Sequence, residues 1–420
     1  MKYTEFSPLT FVQNLSFARY GGTQEELKAA KLIAAEIEAA GGHAELAPFE
    51  IAAPVYNGHV TKVTAPYELA LNTVAFGMCG SIPAPGKDLK LFYAERGVSR
   101  DFLGYDDLSG YVVMVNALSL DVYKELVKRH ASAIFVIMGK YYHETNEAAG
   151  MYARNLRPKF LELGQIPTFA IHANEATELL RNEAETIHIE LDQQDGKATS
   201  QNVLAVIEGT EKKDEAIVIT GHYDSLPLGP GAWDNATGSA ALMGLYLYFL
   251  ENAPKRTLRF VWCGTEEQGL LGSKAYIEQN EQLVKEQIKF CFNFDMCGTI
   301  LGPNNICITG SKELEDFVEL FCREVGYSAR TRVGVHSSDS APFADMGIPG
   351  IGLSRGTQTS EIHTSRDTMF PLGEKALKAN ISFAAQMIER VANAVLLPVD
   401  TGMPDSIKKE LDRYFQRTTD

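Results

Sequence analysis

Ala216-Ile217-Val218-Ile219-Thr220-Gly221-His222-Tyr223-Asp224 opens as an unbroken apolar, β-branched run and closes on an imidazole and a carboxylate. A run apolar at both odd and even positions reads as a strand buried on both faces. Three similar runs follow: Leu258-Arg259-Phe260-Val261-Trp262-Cys263, Phe290-Cys291-Phe292-Asn293-Phe294 and the shorter Ile348-Pro349-Gly350-Ile351-Gly352-Leu353. Helical patterns over 238–250 and 272–280 separate the first three. Apolar strands alternating with helices predict an α/β layer fold around a buried, largely parallel sheet. No 20–50-residue repeat interrupts the pattern.

Upstream, Thr23-Gln24-Glu25-Glu26 has the spacing of a capping box. Leu27, Ala30, Ala34 and Ile37 then recur at helical spacing, Gly41-Gly42 stops the helix, and a strand is expected from about His43 to Ile51. From about Ala53 to Thr199 the texture changes. Short β-like runs (110–115, 132–137) alternate with helical pieces (119–129, 174–182). His130, His143, His172 and His188 are scattered there and read as surface or satisfied histidines.

The chain has 420 residues, long for one domain at roughly 100–200 residues each. Its 45% hydrophobic and 22% charged residues are those of a globular chain with a sizeable core. Thirty-nine Lys and Arg against 54 Asp and Glu give a net charge of -15, which excludes broad nucleic-acid or anionic-membrane binding as an expectation. The first residues lack a basic stretch followed by an apolar one, and no apolar run reaches ~18–20 residues. Neither a secretory signal nor a membrane span is expected. Cys79, Cys263, Cys291, Cys297, Cys307 and Cys322 form no CxxC pair, so buried, reduced thiols and a cytoplasmic location are expected.

Each apolar run of the second half leads into polar residues suited to chemistry. They are His222 and Asp224, then Trp233-Asp234-Asn235-Ala236-Thr237-Gly238, then Glu266-Glu267-Gln268-Gly269, then Asp295, and beyond the fourth run His363-Thr364-Ser365-Arg366-Asp367-Thr368. Taken singly, each has an ordinary explanation as a cap, a solvated pair or a loop histidine. Taken together, they lie where ligands bind in open α/β sheets, outside the carboxyl ends of the strands. Mixed imidazole and carboxylate donors without cysteine suit zinc or a related divalent ion in a catalytic site.

On these residues the sequence resembles metallopeptidase family 28, the co-catalytic di-zinc aminopeptidases. The resemblance covers roughly 1–52 and 200–395. It implies a three-layer α/β/α zinc-peptidase core with a mixed, mostly parallel sheet, formed by 1–56 and 197–420. An inserted smaller α+β domain over 57–196, resembling the protease-associated type, is expected to act as a lid. The resemblance further implies His222 and Asp295 as ligands of one zinc, Glu267 and His363 as ligands of the second, and Asp234 as the bridging carboxylate. It makes Glu266 the general base and Asp224 the residue that orients His222. Two zinc ions, replaceable by cobalt or manganese, and short peptide substrates cleaved from the N-terminus follow from it.

One departure stands out. Ser338-Asp339-Ser340 occupies a place where many members have Ser-Asp-His, and nearby His336 is a candidate substitute against the plainer reading of a surface histidine. The alternatives are a glutaminyl-cyclase-like or other amide-hydrolysing enzyme on the same scaffold, and a non-catalytic binding relative. The cyclase-like relatives would be expected to lack part of the ligand set, and the non-catalytic ones ligands or the base, and this sequence retains both.

Overall fold

A computed structural model describes residues 2–141, 151, 154–356, 361–398 and 402–417, so that His143 lies outside the described residues. Helices α1 (Pro8–Leu15) and α2 (Gln24–Ala39) precede β1 (Glu45–Ala52). Next come β2 (Val55–Ala65), β3 (Leu69–Ala70), β4 (Thr73–Ala75), β5 (Ile82–Tyr93), β6 (Tyr111–Val115), α3 (Leu120–Lys128), β7 (Ala133–Met138), α4 (Pro158–Leu161), β8 (Thr168–His172), α5 (Ala173–Arg181) and β9 (Thr186–Gln194). The chain continues through β10 (Lys197–Ile207), β11 (Lys212–His222), α6 (Thr237–Glu251), β12 (Arg256–Cys263), α7 (Leu271–Gln279), α8 (Glu281–Gln287) and β13 (Ile288–Phe294). It ends with β14 (Asn304–Thr309), α9 (Lys312–Val325), β15 (Ala329–Val333), α10 (Ser340–Asp345), β16 (Gly350–Arg355), α11 (Glu374–Ala392) and α12 (Asp405–Tyr414).

The chain divides into two compact units. One comprises Met1–Phe49, Thr199–Ile362 and Arg366–Asp420, and the other Glu50–Ala198 with the three residues His363–Ser365. The first unit is built on an eight-stranded sheet of order β1-β10-β12-β11-β13-β16-β14-β15. Its centre is parallel: β12, β13 and β16 all run with β11, directly or through a neighbour. β10 and β14 join it antiparallel, so the sheet is mixed. Successive residues of a strand face opposite sides, and β11 shows what that does here. Ile217 and Ile219 pack with Val12, Ile33, Leu245 and Ile381 from α1, α2, α6 and α11. Ala216 and Val218 pack on the other side with Tyr276, Val284 and Phe343 from α7, α8 and α10. Both faces are covered, which is why the run has no polar alternation. The result is a three-layer α/β/α arrangement.

The second unit has its own sheet, of order β3-β2-β9-β5-β6-β7-β8-β4. β5, β6, β7 and β8 run parallel to one another, and β2, β3, β4 and β9 join through antiparallel pairs. Val113, Phe135, Phe169 and Ile189 lie in its core. The histidines here have partners. His172 Nδ1 accepts from the Asn174 N–H at the start of α5 (3.2 Å), and His188 sits between Asp88 (2.8 Å) and Glu190 (3.2 Å). His130 is exposed.

The N-cap of α2 departs from a simple capping box. Thr23 Oγ1 accepts from the Glu26 N–H (3.2 Å), but the Glu26 carboxylate accepts from the Gly22 N–H (2.7 Å) instead of from Thr23. The six cysteines are all buried and unpaired. Among the described residues no helix is long and apolar enough to cross a membrane.

Ile219, fully buried on the central strand, tests the two-sided packing. Ile219→Ala should cost about 2–5 kcal/mol of stability, read as a lower midpoint in urea unfolding.

Candidate active site

The strand ends of the first sheet gather the polar residues. His222 is the last residue of β11 and is almost wholly buried. Its Nε2 lies 3.2 Å from Asp234 Oδ1, 3.4 Å from Asp295 Oδ1 and 3.9 Å from Glu266 Oε2. Its other nitrogen, Nδ1, lies 3.4 Å from Asp224 Oδ1. Asp224 is fully buried, and its two oxygens accept the backbone N–H groups of Glu266 (2.9 Å) and Glu267 (3.2 Å). One carboxylate thus ties the end of β11 to the loop after β12.

Asp234 lies on the segment leading from β11 into α6, with φ of -108° and a cis peptide to Asn235. The motif around it works as a clasp. Asn235 Nδ2 donates to Phe294 O (2.9 Å), while its Oδ1 accepts from the N–H groups of Gly238 (2.8 Å) and Met296 (3.1 Å). Thr237 Oγ1 accepts from the Cys297 N–H (2.9 Å). A Cβ on Gly238 would stand 2.2 Å from Phe294 O, so only glycine allows this approach. The Asp234 loop is therefore fastened on both sides of Asp295. Asp367 completes the fastening, its two oxygens accepting the Trp233 (2.7 Å) and Asp234 (3.0 Å) N–H groups. Its carboxylate thus caps the Asp234 loop.

Two sets of ligand-type atoms result: His222, Asp234 and Asp295, and Asp234, Glu267 and His363. Within each set the atoms lie within 4.8 Å of one another, and Asp234 belongs to both. Nothing in the donor types opposes zinc. Apart from His222 Nε2 at 3.4 Å, buried Asp295 Oδ1 has no hydrogen-bond donor among the described residues, although buried carboxylate oxygens normally have one. A divalent cation fits that environment. Burial raises the Glu266 carboxyl well above its ordinary range. The His222 charge opposes this, and those of Glu267, Asp339 and Asp295 add to it. A cation beside it would act in the opposite sense.

The sequence did not single out Arg19, which is wholly buried below these loops. Its guanidinium donates to the backbone oxygens of Leu15 (2.7 Å), Pro230 (2.6 Å), Gly231 (2.8 Å) and Tyr223. Burial lowers its pKa to about 10 against the raising charges of Asp224, Asp367, Asp234 and Glu267, so it stays protonated at neutral pH. Nothing in its sequence neighbourhood distinguishes it from a surface arginine.

At the departure from the family pattern, His336 is not a surface side chain. It is half-buried, with Nδ1 3.5 Å from Asn293 Nδ2 and its ring against Gly352. Asp339 is fully buried, and burial raises its pKa to about 6.

The model of peptidase family M28 matches residues 202–388. Aminopeptidase YwaD of Bacillus subtilis is 24% identical over 380 residues, which are 86% of this chain and 78% of that protein. Leupeptin-inactivating enzyme 1 of Streptomyces exfoliatus is 28% identical over 239 residues, 50% of this chain and 54% of that protein. In fold, the chain is similar to the crystal structure of BSAP, a zinc aminopeptidase from Bacillus subtilis, with a TM-score of 0.78 at 21% identity, covering 97% of this chain and 99% of that one. The second half of the chain is thus similar to peptidase family M28.

Asp367 touches the Asp234 loop only through backbone N–H groups. Asp367→Ala should leave the fold intact but weaken zinc binding about 10–100-fold, measured by competition with a chromogenic chelator.

Proposed function

We propose that this chain is a zinc-dependent aminopeptidase that removes N-terminal residues from short peptides, with a pair of zinc ions sharing Asp234. The observation that carries the reading is that one buried carboxylate belongs to two separate ligand sets. His222 and Asp295 would complete one set, and Glu267 and His363 the other. The aminopeptidase names of the similar proteins support the class of substrate. When bound, zinc supplies a Lewis acid for the scissile carbonyl and brings the pKa of coordinated water down to about 7.

The chain's own groups do the rest. Glu266, 3.9 Å from His222 Nε2, stands beside the ligand sets without belonging to either. As general base it takes a proton from the attacking water and returns it to the departing amine. Asp224 faces His222 Nδ1 and so directs Nε2 toward Asp234 and Asp295, which fixes the tautomer and raises ligand basicity. The surrounding excess of carboxylate suits a substrate that presents a free, protonated α-amine. Residues 57–196 would form an accessory module of protease-associated type. The six buried, unpaired thiols favour a reducing compartment such as the cytoplasm.

The zinc-loaded chain should release free amino acids from short peptides. Chelator should abolish that release, and zinc or cobalt should restore it. Glu266→Gln should keep the metal content of the parent while turnover falls about 10²–10⁴-fold. Unchanged turnover in this variant would remove Glu266 from the role of base.

A further inference from the structure

Glu26 is a fully buried carboxyl group in the first turn of α2, and the chemistry above makes no use of it. A glutamate in that position ordinarily serves the helix from its exposed surface. This one is withdrawn from water and meets hydroxyl and N–H groups from three separate segments. Gly22 N–H donates to its Oε2 (2.7 Å), and Ser200 Oγ on β10 donates to its Oε1 (2.7 Å). Thr265 Oγ1 lies 3.1 Å from the same Oε1 and 2.7 Å from Ser200 Oγ.

Thr265 is the residue immediately before Glu266. Its φ is +52°, a left-handed conformation that a β-branched residue adopts only when its surroundings hold it there. Those surroundings are tight. A Cβ on Gly21 would lie 2.4 Å from Thr265 Oγ1, and one on Gly264 would lie 2.8 Å from Glu26 Oε1. The far side of the loop is tied to the same turn, since Gln268 Nε2 donates to Gly21 O (3.0 Å). The loop carrying Glu266 and Glu267 is thus held twice. Asp224 takes its backbone N–H groups, and the turn at 21–26 takes the Thr265 hydroxyl and the Gln268 amide.

We propose that Glu26 is a positioning residue for hydrolysis: through Thr265 it sets where the Glu266 carboxylate stands relative to the scissile bond. This rests on the reading of Glu266 as the general base. Glu26 touches neither of the ligand sets, so its loss should displace the base without removing a metal ligand. Burial, and after it the Asp224 charge, lifts Glu26 to about 8. A neutral group of the same shape therefore suits the place. A glutamine can accept from Gly22 and donate to the hydroxyl pair.

The experiment uses the full, zinc-loaded chain with aminoacyl p-nitroanilides. Each variant is normalised to folded protein and to bound zinc. Glu26→Gln should stay within about threefold of the parent in kcat, whereas Glu26→Ala should lose about ten- to a hundredfold in kcat with little change in KM. If Glu26→Ala does not fold, Thr265→Val removes the same link and should show the same kcat loss, and Thr265→Ser should restore activity. A double variant of Glu26→Ala and Thr265→Val should be no worse than either alone, because both cut one connection. Unchanged kcat in Glu26→Ala and Thr265→Val, with only a lower melting temperature, would overturn the proposal and leave Glu26 as a helix cap. Loss of bound zinc in step with activity would also overturn it. A parent chain that hydrolyses no aminoacyl substrate would sink the aminopeptidase reading, whereas an active parent with unaffected Glu26→Ala and Thr265→Val sinks this proposal alone.

Discussion

Carboxylates held a few ångströms apart in a nearly dry place repel one another. At 4 Å and an effective dielectric constant near 20, one such pair costs about 4 kcal/mol. The strand ends of the first sheet bring Asp224, Asp234, Glu266 and Asp295 around His222 in this way. The structure divides them by what satisfies their oxygens. Asp224 and Asp367 each spend both oxygens on backbone N–H groups, and both serve to shape loops. Asp295 keeps a buried oxygen that, among the described residues, faces only the His222 imidazole, which leaves it for a cation. The division follows from the accounting of hydrogen bonds and needs no appeal to resemblance. Arg19 supplies a permanent positive charge beneath the whole group, held by backbone oxygens and paired with no single acid.

The parts of this arrangement that repeat with a short period were legible in the sequence. Ile217 and Ile219 alternate with Ala216 and Val218 onto two different cores, and a run apolar at every position is the imprint of that. The rule that a parallel sheet places its strand ends on one side pointed to the polar residues there, and the resemblance to a known family assigned their expected roles. The sequence was less informative where a side chain's role depends on a partner far along the chain. Asn235 reads locally as a helix cap, and it does accept from the Gly238 N–H. Its bonds to Phe294 and Met296 close over about sixty residues and leave no local trace. Arg19 and Glu26 belong to the same class, since their partners lie on loops some two hundred residues away. His336 failed for a related reason. The close approach of Gly352 that draws its ring inward is a property of packing, not of its neighbours in sequence.

Much of the clasp around Asp234 serves the position of Asp295. Two loops that repel one another through their carboxylates are pinned by neutral groups on either side: Asn235 to Phe294 and Met296, and Thr237 to Cys297. A charged residue at either place would add to the repulsion, and a smaller apolar one would leave buried amides unpaired. The residue types of the motif are therefore set by electrostatics as much as by helix capping.

The same reasoning explains why residues at the start of the chain take part in a centre built from its second half. The loops after β11 and β12 present carbonyl oxygens and hydroxyls away from the site as well as carboxylates toward it. Those groups are buried and need donors. The segment from Arg19 to Glu26 provides them with one cation and meets Thr265 with one carboxyl. Cation and carboxyl lie seven residues apart on either side of a glycine turn, so a single short stretch serves both loops. An arginine and a glutamate on separate elements could make the same bonds, but two independent movements would then act on the distance between Asp234 and Glu266. Placing both on one turn couples the loop of Asp234 and the loop of Glu266 to a common support.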